Sequence, residues 1–262
     1  MFKANERMRP AGTPERVLAV CRIVSAVDKI SREEIIHLIT LDPLATEIGE
    51  PIVDSLAIAV ELGFLKKEGS FYRSVEDSST FATYSNFRRV AAKRAFSMQD
   101  SLFFKLSEWV ISNDEIVKTL NRYQDVAASA SKAGNGLELI NDRDVLQWRF
   151  WARFLGIIYL YDHTIIPNMK IRLEDALRSV SPGTEMTCTH FIQWLKANIP
   201  EAASACSVEH LPLSVSNGLR TLEHEGKVKM TTTMDAVRTA LYPLSGVDLT
   251  SFSTIEIKEM GE

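Results

Sequence analysis

Residues Glu61–Ser74, ELGFLKKEGSFYRS, carry the first decision about this chain. Leu62 closes an apolar series at helical spacing, and Gly63 is the residue type that ends a helix in a left-handed turn. Phe64-Leu65-Lys66-Lys67 and Ser70-Phe71-Tyr72-Arg73 then read as short strands joined by Glu68-Gly69, a hairpin turn. Working back, Glu50–Leu62 is predicted as a helix with Ile52, Val53, Leu56, Ile58, Ala59 and Leu62 as its apolar positions. Asp42-Pro43 breaks the pattern before it. Ser31 and Glu34 have capping-box spacing and open a helix over Ser31–Ile39. Pro14–Val27 is a further helix, with Val17, Leu18, Cys21, Val24 and Val27 recurring and Pro14 in its first turn.

Three helices followed by a hairpin resemble a winged helix-turn-helix domain, here over residues 13–76. In that resemblance the third helix offers Arg, Lys, Asn, Gln or Ser to DNA. This one offers Glu50, Asp54, Ser55 and Glu61, and acids repel phosphates. The reading left for the first domain is protein contact or structure, with Lys66, Lys67 and Arg73 of the wing available to a DNA backbone.

The same order returns near the end of the chain. Met169–Val180, Thr187–Asn198 and Pro212–Glu225 are predicted helices, the last closed by Gly226. Lys227–Thr231 and Ala236–Leu241 are predicted as a hairpin around Met234-Asp235. The resemblance to a second winged helix spans residues 167–245, leaving 246–262 as a terminal strand or tail. Its third helix carries Ser216, Asn217, Arg220 and His224, with Lys227 and Lys229 on the wing. These residue types donate to base edges and phosphates.

Between the two lies a helical, aromatic-rich segment, residues 81–166. Thr83–Phe104, Leu102–Val110, Asp114–Ala127 and Asp144–Leu160 all read as helix. Trp148, Phe150, Trp151 and Phe154 interleave with Arg149 and Arg153, a pattern that suits base stacking and core packing alike, with core packing favoured. The fold class is therefore mainly α with short β-hairpin wings, two winged-helix domains flanking a helical middle.

The chain has 262 residues, 45% of them hydrophobic and 24% charged, with a net charge of -4. These are the proportions of a globular protein with a full core rather than a disordered one. The longest apolar run, Phe154–Tyr161, is far shorter than the roughly 20 residues of a membrane span. Cys21, Cys188 and Cys206 cannot form a closed disulfide set, and the N-terminal residues lack an apolar leader, so a cytoplasmic location is expected. The acidity is uneven: residues 1–80 carry -3, residues 81–166 carry +2 and residues 167–262 carry -3. Within the basic part, Phe81–Gln99 holds Arg88, Arg89, Lys93 and Arg94 and no acid. Because salt screens charge beyond about 10 Å, such a patch attracts DNA despite the overall acidity.

Catalytic motifs are missing. There is no phosphate-binding G-x-x-x-x-G-K-[ST], no G-x-G-x-x-G, no H-E-x-x-H and no G-x-S-x-G. Cys188, His190, Cys206 and His210 have the wrong spacing for zinc, because one intervening residue in a helix turns two side chains about 200° apart. Asp248 with Glu256 and Lys258 mimics the acid…E-x-K spacing of metal-dependent nucleases, but an amphipathic terminal strand accounts for it better. The chain is expected to be non-enzymatic, with no cofactor and no metal.

Arg149–Leu177, RFWARFLGIIYLYDHTIIPNMKIRLEDAL, resembles a stretch of DpdG-type proteins. Those accompany bacterial gene clusters for 7-deazaguanine DNA modification and phage defence, so the resemblance implies genomic context rather than a reaction. The paired winged helices also resemble, in outline, small subunits of bacterial SMC-type complexes, from which the helical middle departs. The expectation is a DNA-binding component of a multi-protein bacterial DNA-handling or phage-defence assembly. It would bind double-stranded DNA through Arg88, Arg89, Lys93, Arg94, Ser216, Asn217, Arg220, His224, Lys227 and Lys229. Other protein subunits and a possible second copy of the chain are its expected partners, with no membrane. The alternative is an adaptor subunit whose winged helices grip proteins.

Overall fold

The computed structural model describes residues 1–4, 6–39 and 49–260. The break expected at Asp42-Pro43 lies outside the described residues. In chain order the elements begin α1 (Pro14–Ser25), β1 (Ile30–Ser31), α2 (Arg32–Ile39), α3 (Gly49–Glu61), β2 (Leu65–Glu68) and β3 (Phe71–Ser74). Helices α4 (Tyr84–Ser97), α5 (Leu102–Ser112), α6 (Asp114–Val117), α7 (Tyr123–Ser131) and α8 (Asp142–Phe154) follow. The remainder is β4 (Ile158–Tyr161), β5 (Thr164–Pro167), α9 (Lys170–Leu177), β6 (Glu185–Thr187), α10 (Cys188–Asn198), α11 (Leu213–His224), β7 (Val228–Thr231), β8 (Thr239–Ala240), β9 (Ser251–Phe252) and β10 (Thr254–Ile257). The fold is mixed α and β with short antiparallel strands. The chain divides into two compact units, one of residues Met1–Phe104 with Arg143–Phe154, the other of Lys105–Asp142 with Leu155–Glu262.

In the first unit the strand order is β1-β3-β2, all antiparallel. The capping box forms as read. Ser31 donates its N–H and hydroxyl to Glu34 at 2.8 and 2.7 Å, and Glu34 N–H returns to Ser31 Oγ at 3.2 Å. Gly63 has φ +70°, so it ends α3 in the conformation its type allows. The core is aromatic. Phe64 lies 4.9 Å from Phe87, Phe87 lies 5.5 Å from Phe154, and Phe2 packs on Phe103 at 4.8 Å and Trp151 at 5.1 Å. Trp148 and Trp151 are fully buried, and Trp151 Nε1–H donates to the Gly12 carbonyl at 2.8 Å. The aromatic run of α8 is therefore core at both tryptophans.

The second unit repeats the arrangement. Its sheet runs β6-β10-β7, again antiparallel, with α9 before the first strand and α10 and α11 between the first and second. With the β8–β9 insertion between β7 and β10 set aside, the order α9-β6-α10-α11-β7-β10 follows that of α1-β1-α2-α3-β2-β3. Thr187 caps α10 by accepting from His190 N–H at 3.3 Å, in the place Ser31 holds for α2. Helices α9 and α11 cross closely at Gly218, where an added Cβ would meet Leu173 Cδ1 at 2.7 Å and Lys170 N at 2.9 Å.

Three expectations are corrected. First, β7 does not pair with Ala236–Leu241. It pairs with β10, Val228 opposite Ile257 and Met230 opposite Ile255, so all four side chains face the core. The predicted return strand instead lies in a long arm between β7 and β10, where Thr239–Ala240 pairs with Ser251–Phe252. The terminal residues read as an amphipathic strand are the central strand of the sheet. Second, the helix expected over Asp144–Leu160 stops at Phe154. Gly156 has φ +79° and lies so close to Ile171 that a Cβ would sit 2.6 Å from it. The β-branched residues beyond it form the β4–β5 hairpin, turned at Asp162 with φ +53°. Third, the continuous helices expected at 83–104 and 114–127 are each interrupted, after Ser97 and after Val117.

Candidate nucleic-acid interface

Helix α4 presents the acid-free cationic segment. Thr83 Oγ1 accepts from Asn86 N–H at 3.1 Å and starts the helix. Phe87, Ala91, Ala92, Ala95 and Phe96 are buried and fix which side faces the core. Asn86, Arg89 and Lys93 follow at three- and four-residue spacing along another side. Arg89 Nη2 donates to Asn86 Oδ1 at 2.6 Å, Lys93 is exposed, and Arg88 and Arg89 are both half-buried. Arg94 turns inward. Its Nη1 donates to the Leu62 carbonyl at 3.0 Å, its Nη2 pairs with the Glu76 carboxylate, and its guanidinium lies 4.9 Å from the Phe64 ring centre. Arg94 thus holds the end of α3.

Helix α11 presents less than its sequence offers. Ser216 is fully buried; its Oγ accepts from Tyr242 N–H at 2.9 Å and donates to the Leu211 carbonyl at 3.3 Å. Arg220 reaches the long arm, Nη2 donating to Tyr242 O at 2.8 Å and to Leu249 O at 2.9 Å. Burial holds its pKa below the usual guanidinium value. Lys227 lies 2.7 Å from both Glu174 and Glu225. Asn217 stays half-buried, while His224 and Lys229 are exposed. Ser216 and Arg220 were placed on the DNA-facing surface because their residue types are polar; the structure uses them to tie the arm to α11.

The acids of α3 also have partners that sequence reasoning missed. Asp54 Oδ2 accepts from Ala11 N–H at 3.1 Å, and Glu61 accepts from Phe2 N–H at 3.2 Å and Arg9 Nε at 3.1 Å. Phe2, Arg9 and Ala11 therefore lie along α3. The available signal was the seven-residue spacing of Asp54 and Glu61, which puts both on one face, together with the Arg9 upstream.

The remaining polar motifs are structural in their contacts. Asp114 Oδ2 accepts from Ser214 N–H at 2.7 Å and so caps α11; burial raises its pKa despite that bond. Cys188 Sγ donates to the Val237 carbonyl at 3.2 Å, and burial pushes the Cys206 thiol up to about 12. Among the described residues no group of three or more His, Cys, Asp or Glu is placed to hold a metal ion. Lys258 Nζ lies 2.5 Å from Glu256 on the central strand. Among the described residues no helix is long and apolar enough to cross a membrane.

The model of the DpdG-like family matches residues 8–236. No curated protein and no solved structure matches the chain.

Proposed function

The chain belongs to the DpdG-like family, and from that premise we propose that it is a winged-helix, DNA-binding component of a multi-protein bacterial assembly. The family suggests a role in a DNA-modification and phage-defence cluster. The winged-helix reading draws support from the matching orders α1-β1-α2-α3-β2-β3 and α9-β6-α10-α11-β7-β10. The observation that carries the DNA contact is α4, whose half-buried Arg89 and exposed Lys93 stand on a helix without a single acid. In this reading α4 grips phosphates without reading base sequence, and Asn217, His224 and Lys229 of the second unit are candidate contacts of their own. No reaction and no cofactor are part of it, and the protein works in the cytoplasm.

The test is binding of a random labelled duplex by the full chain and by Arg89→Glu/Lys93→Glu. The reading expects micromolar binding at low salt and at least about a tenfold loss in the variant. Unchanged affinity contradicts it.

A second reading, an adaptor that grips proteins, is favoured by one observation. The face of α3 that carries Asp54 and Glu61 is occupied by Arg9 and Ala11, and Arg220 of α11 faces inward, so neither third helix has the usual cations for DNA. A stoichiometric complex surviving high salt and nuclease treatment supports this reading. Failure to co-purify with any neighbour-encoded protein counts against it.

A further inference from the structure

In an antiparallel sheet, residues directly opposite one another project to the same side. In the first unit Phe71 is opposite Glu68 on β2 and Ser31 on β1, and Arg73 is opposite Lys66. Tyr72 and Ile30, opposite each other, point to the other side and are buried. The outer face of this sheet is thus centred on Phe71, which keeps 36% of its surface exposed. Cations surround the ring. Lys29 Nζ sits 4.4 Å from the ring centre, and Lys66 and Arg73 side chains are 69% and 57% exposed. All three bear on one carboxylate: Glu68 is held below the usual range first by its hydrogen bond with Lys66, then by the charges of Lys66, Arg73 and Lys29.

We propose that this face binds single-stranded nucleic acid, with one base stacked on Phe71 and the flanking phosphates taken by Lys29, Lys66 and Arg73. Three features fit. An aromatic ring amid lysines and arginine is the chemistry that accepts a base together with its backbone. Phe71 stands on the central strand, paired on both sides, so the platform is ordered before anything binds. The acids present, Glu68 at 3.1 Å from Lys66 and Asp28 at 2.7 Å from Arg73, form exposed pairs. Such pairs are weak in water and yield to phosphate. Lys29, which covers the ring, swings to a phosphate when a base takes its place. This inference uses elements other than α4, so it stands or falls apart from the duplex reading.

The test uses the full chain with a labelled oligothymidylate of about 12 nucleotides and its oligouridylate counterpart at low salt, beside a duplex of equal length. Phe71→Ala is expected to weaken single-strand binding by about tenfold and to leave duplex binding unchanged. Phe71→Trp is expected to retain single-strand affinity, with its indole fluorescence quenched on adding oligothymidylate. Arg89→Glu/Lys93→Glu is expected to lose duplex and keep single-strand binding. Absence of single-strand binding by the parent chain, an unchanged affinity in a folded Phe71→Ala, or no quenching in Phe71→Trp overturns the proposal.

Discussion

Arg9 holds Glu61: its Nη2 lies 2.9 Å from the carboxylate, and the same guanidinium reaches Asp54 at 3.9 Å. Asp54 and Glu61 stand two helical turns apart on α3, so one side chain from the N-terminal segment spans both acids. Glu61 is nearly buried, with a side chain 5% exposed. Glu61 also keeps the Met1 ammonium at 3.0 Å and Phe2 N–H at 3.2 Å, so losing Arg9 removes one charge-assisted hydrogen bond rather than stranding the acid, a cost of about 1–3 kcal/mol. Arg9→Ala is therefore expected to lower stability by that amount in urea unfolding. A change under about 0.5 kcal/mol would mean that Arg9 does not rest on α3 in solution.

Arg220 is expected to be a residue of the arm rather than of a DNA contact. Its bonds to Tyr242 and Leu249 carbonyls are the side-chain ties that fix residues 242–249 against α11, together with Ser216. Arg220→Ala should speed amide exchange at Tyr242 and nearby arm residues, and should change duplex affinity by less than about threefold. A tenfold affinity loss with unchanged exchange would return Arg220 to the interface.

The buried pair of the second unit gives a sharper stability test. Arg172 Nε donates to Glu201 Oε1 at 2.6 Å, with side-chain exposures of 7% and 0%. Removing one member strands the other charge, at about 3–5 kcal/mol. Glu201→Ala should show this as a lowered thermal midpoint. Replacing both residues with apolar ones should cost much less. Equal losses in the two variants would mean that packing, not charge, sets the effect.

How far the sequence carries depends on the range of the interaction. Local signals worked: Ser31 with Glu34, and Gly63, take the forms their residue types favour, while the expected hairpin forms with its turn one residue on, at Gly69-Ser70, and Glu68 opposite Phe71. The β7–β10 pairing was missed because its partners lie 23 residues apart, Thr231 opposite Thr254, across an arm whose own strand-like residues 236–241 compete for the reading. The β4–β5 hairpin was missed because IYLYDHTII continues an apolar helix without a proline. Side-chain partners were missed for a related reason. Residue type marks Ser216, Arg94 and Arg220 as donors, but only tertiary placement says that the acceptors are carbonyls and carboxylates of the protein itself. Lys93 and His224 are exposed, as charged and polar residues on helix surfaces generally are.

Acid should release one network in the second unit. Glu174 receives Lys170 and Lys227, each at 2.7 Å, and Glu225 receives the same two at 3.0 and 2.7 Å. Burial alone would raise the Glu174 pKa, but the two lysines hold it below 4.5, and they lower Glu225 likewise. A depressed carboxylate stabilises the fold fully above its unfolded value and loses that contribution as pH falls through the folded one. Lys170 has the opposite sense: burial opposes its charge, yet the two acids raise it to about 12, so its share is complete below 10.5 and is lost only at strongly alkaline pH. The thermal midpoint should fall between about pH 5 and pH 3, and Glu174→Gln should flatten that fall. An acid limb identical in the variant would remove the network as its cause.

The central claim is that α4 grips duplex DNA through Arg89 and Lys93. The measurement that bears on it most directly is the salt dependence of duplex affinity, by fluorescence anisotropy, for the parent chain and for Arg89→Ala/Lys93→Ala. Each phosphate contact adds about 0.9 to the log–log slope. The account predicts a steep slope in the parent chain and a slope shallower by about 2 in the variant. A parent chain that does not bind duplex at low salt, or a variant with the same slope, would contradict it.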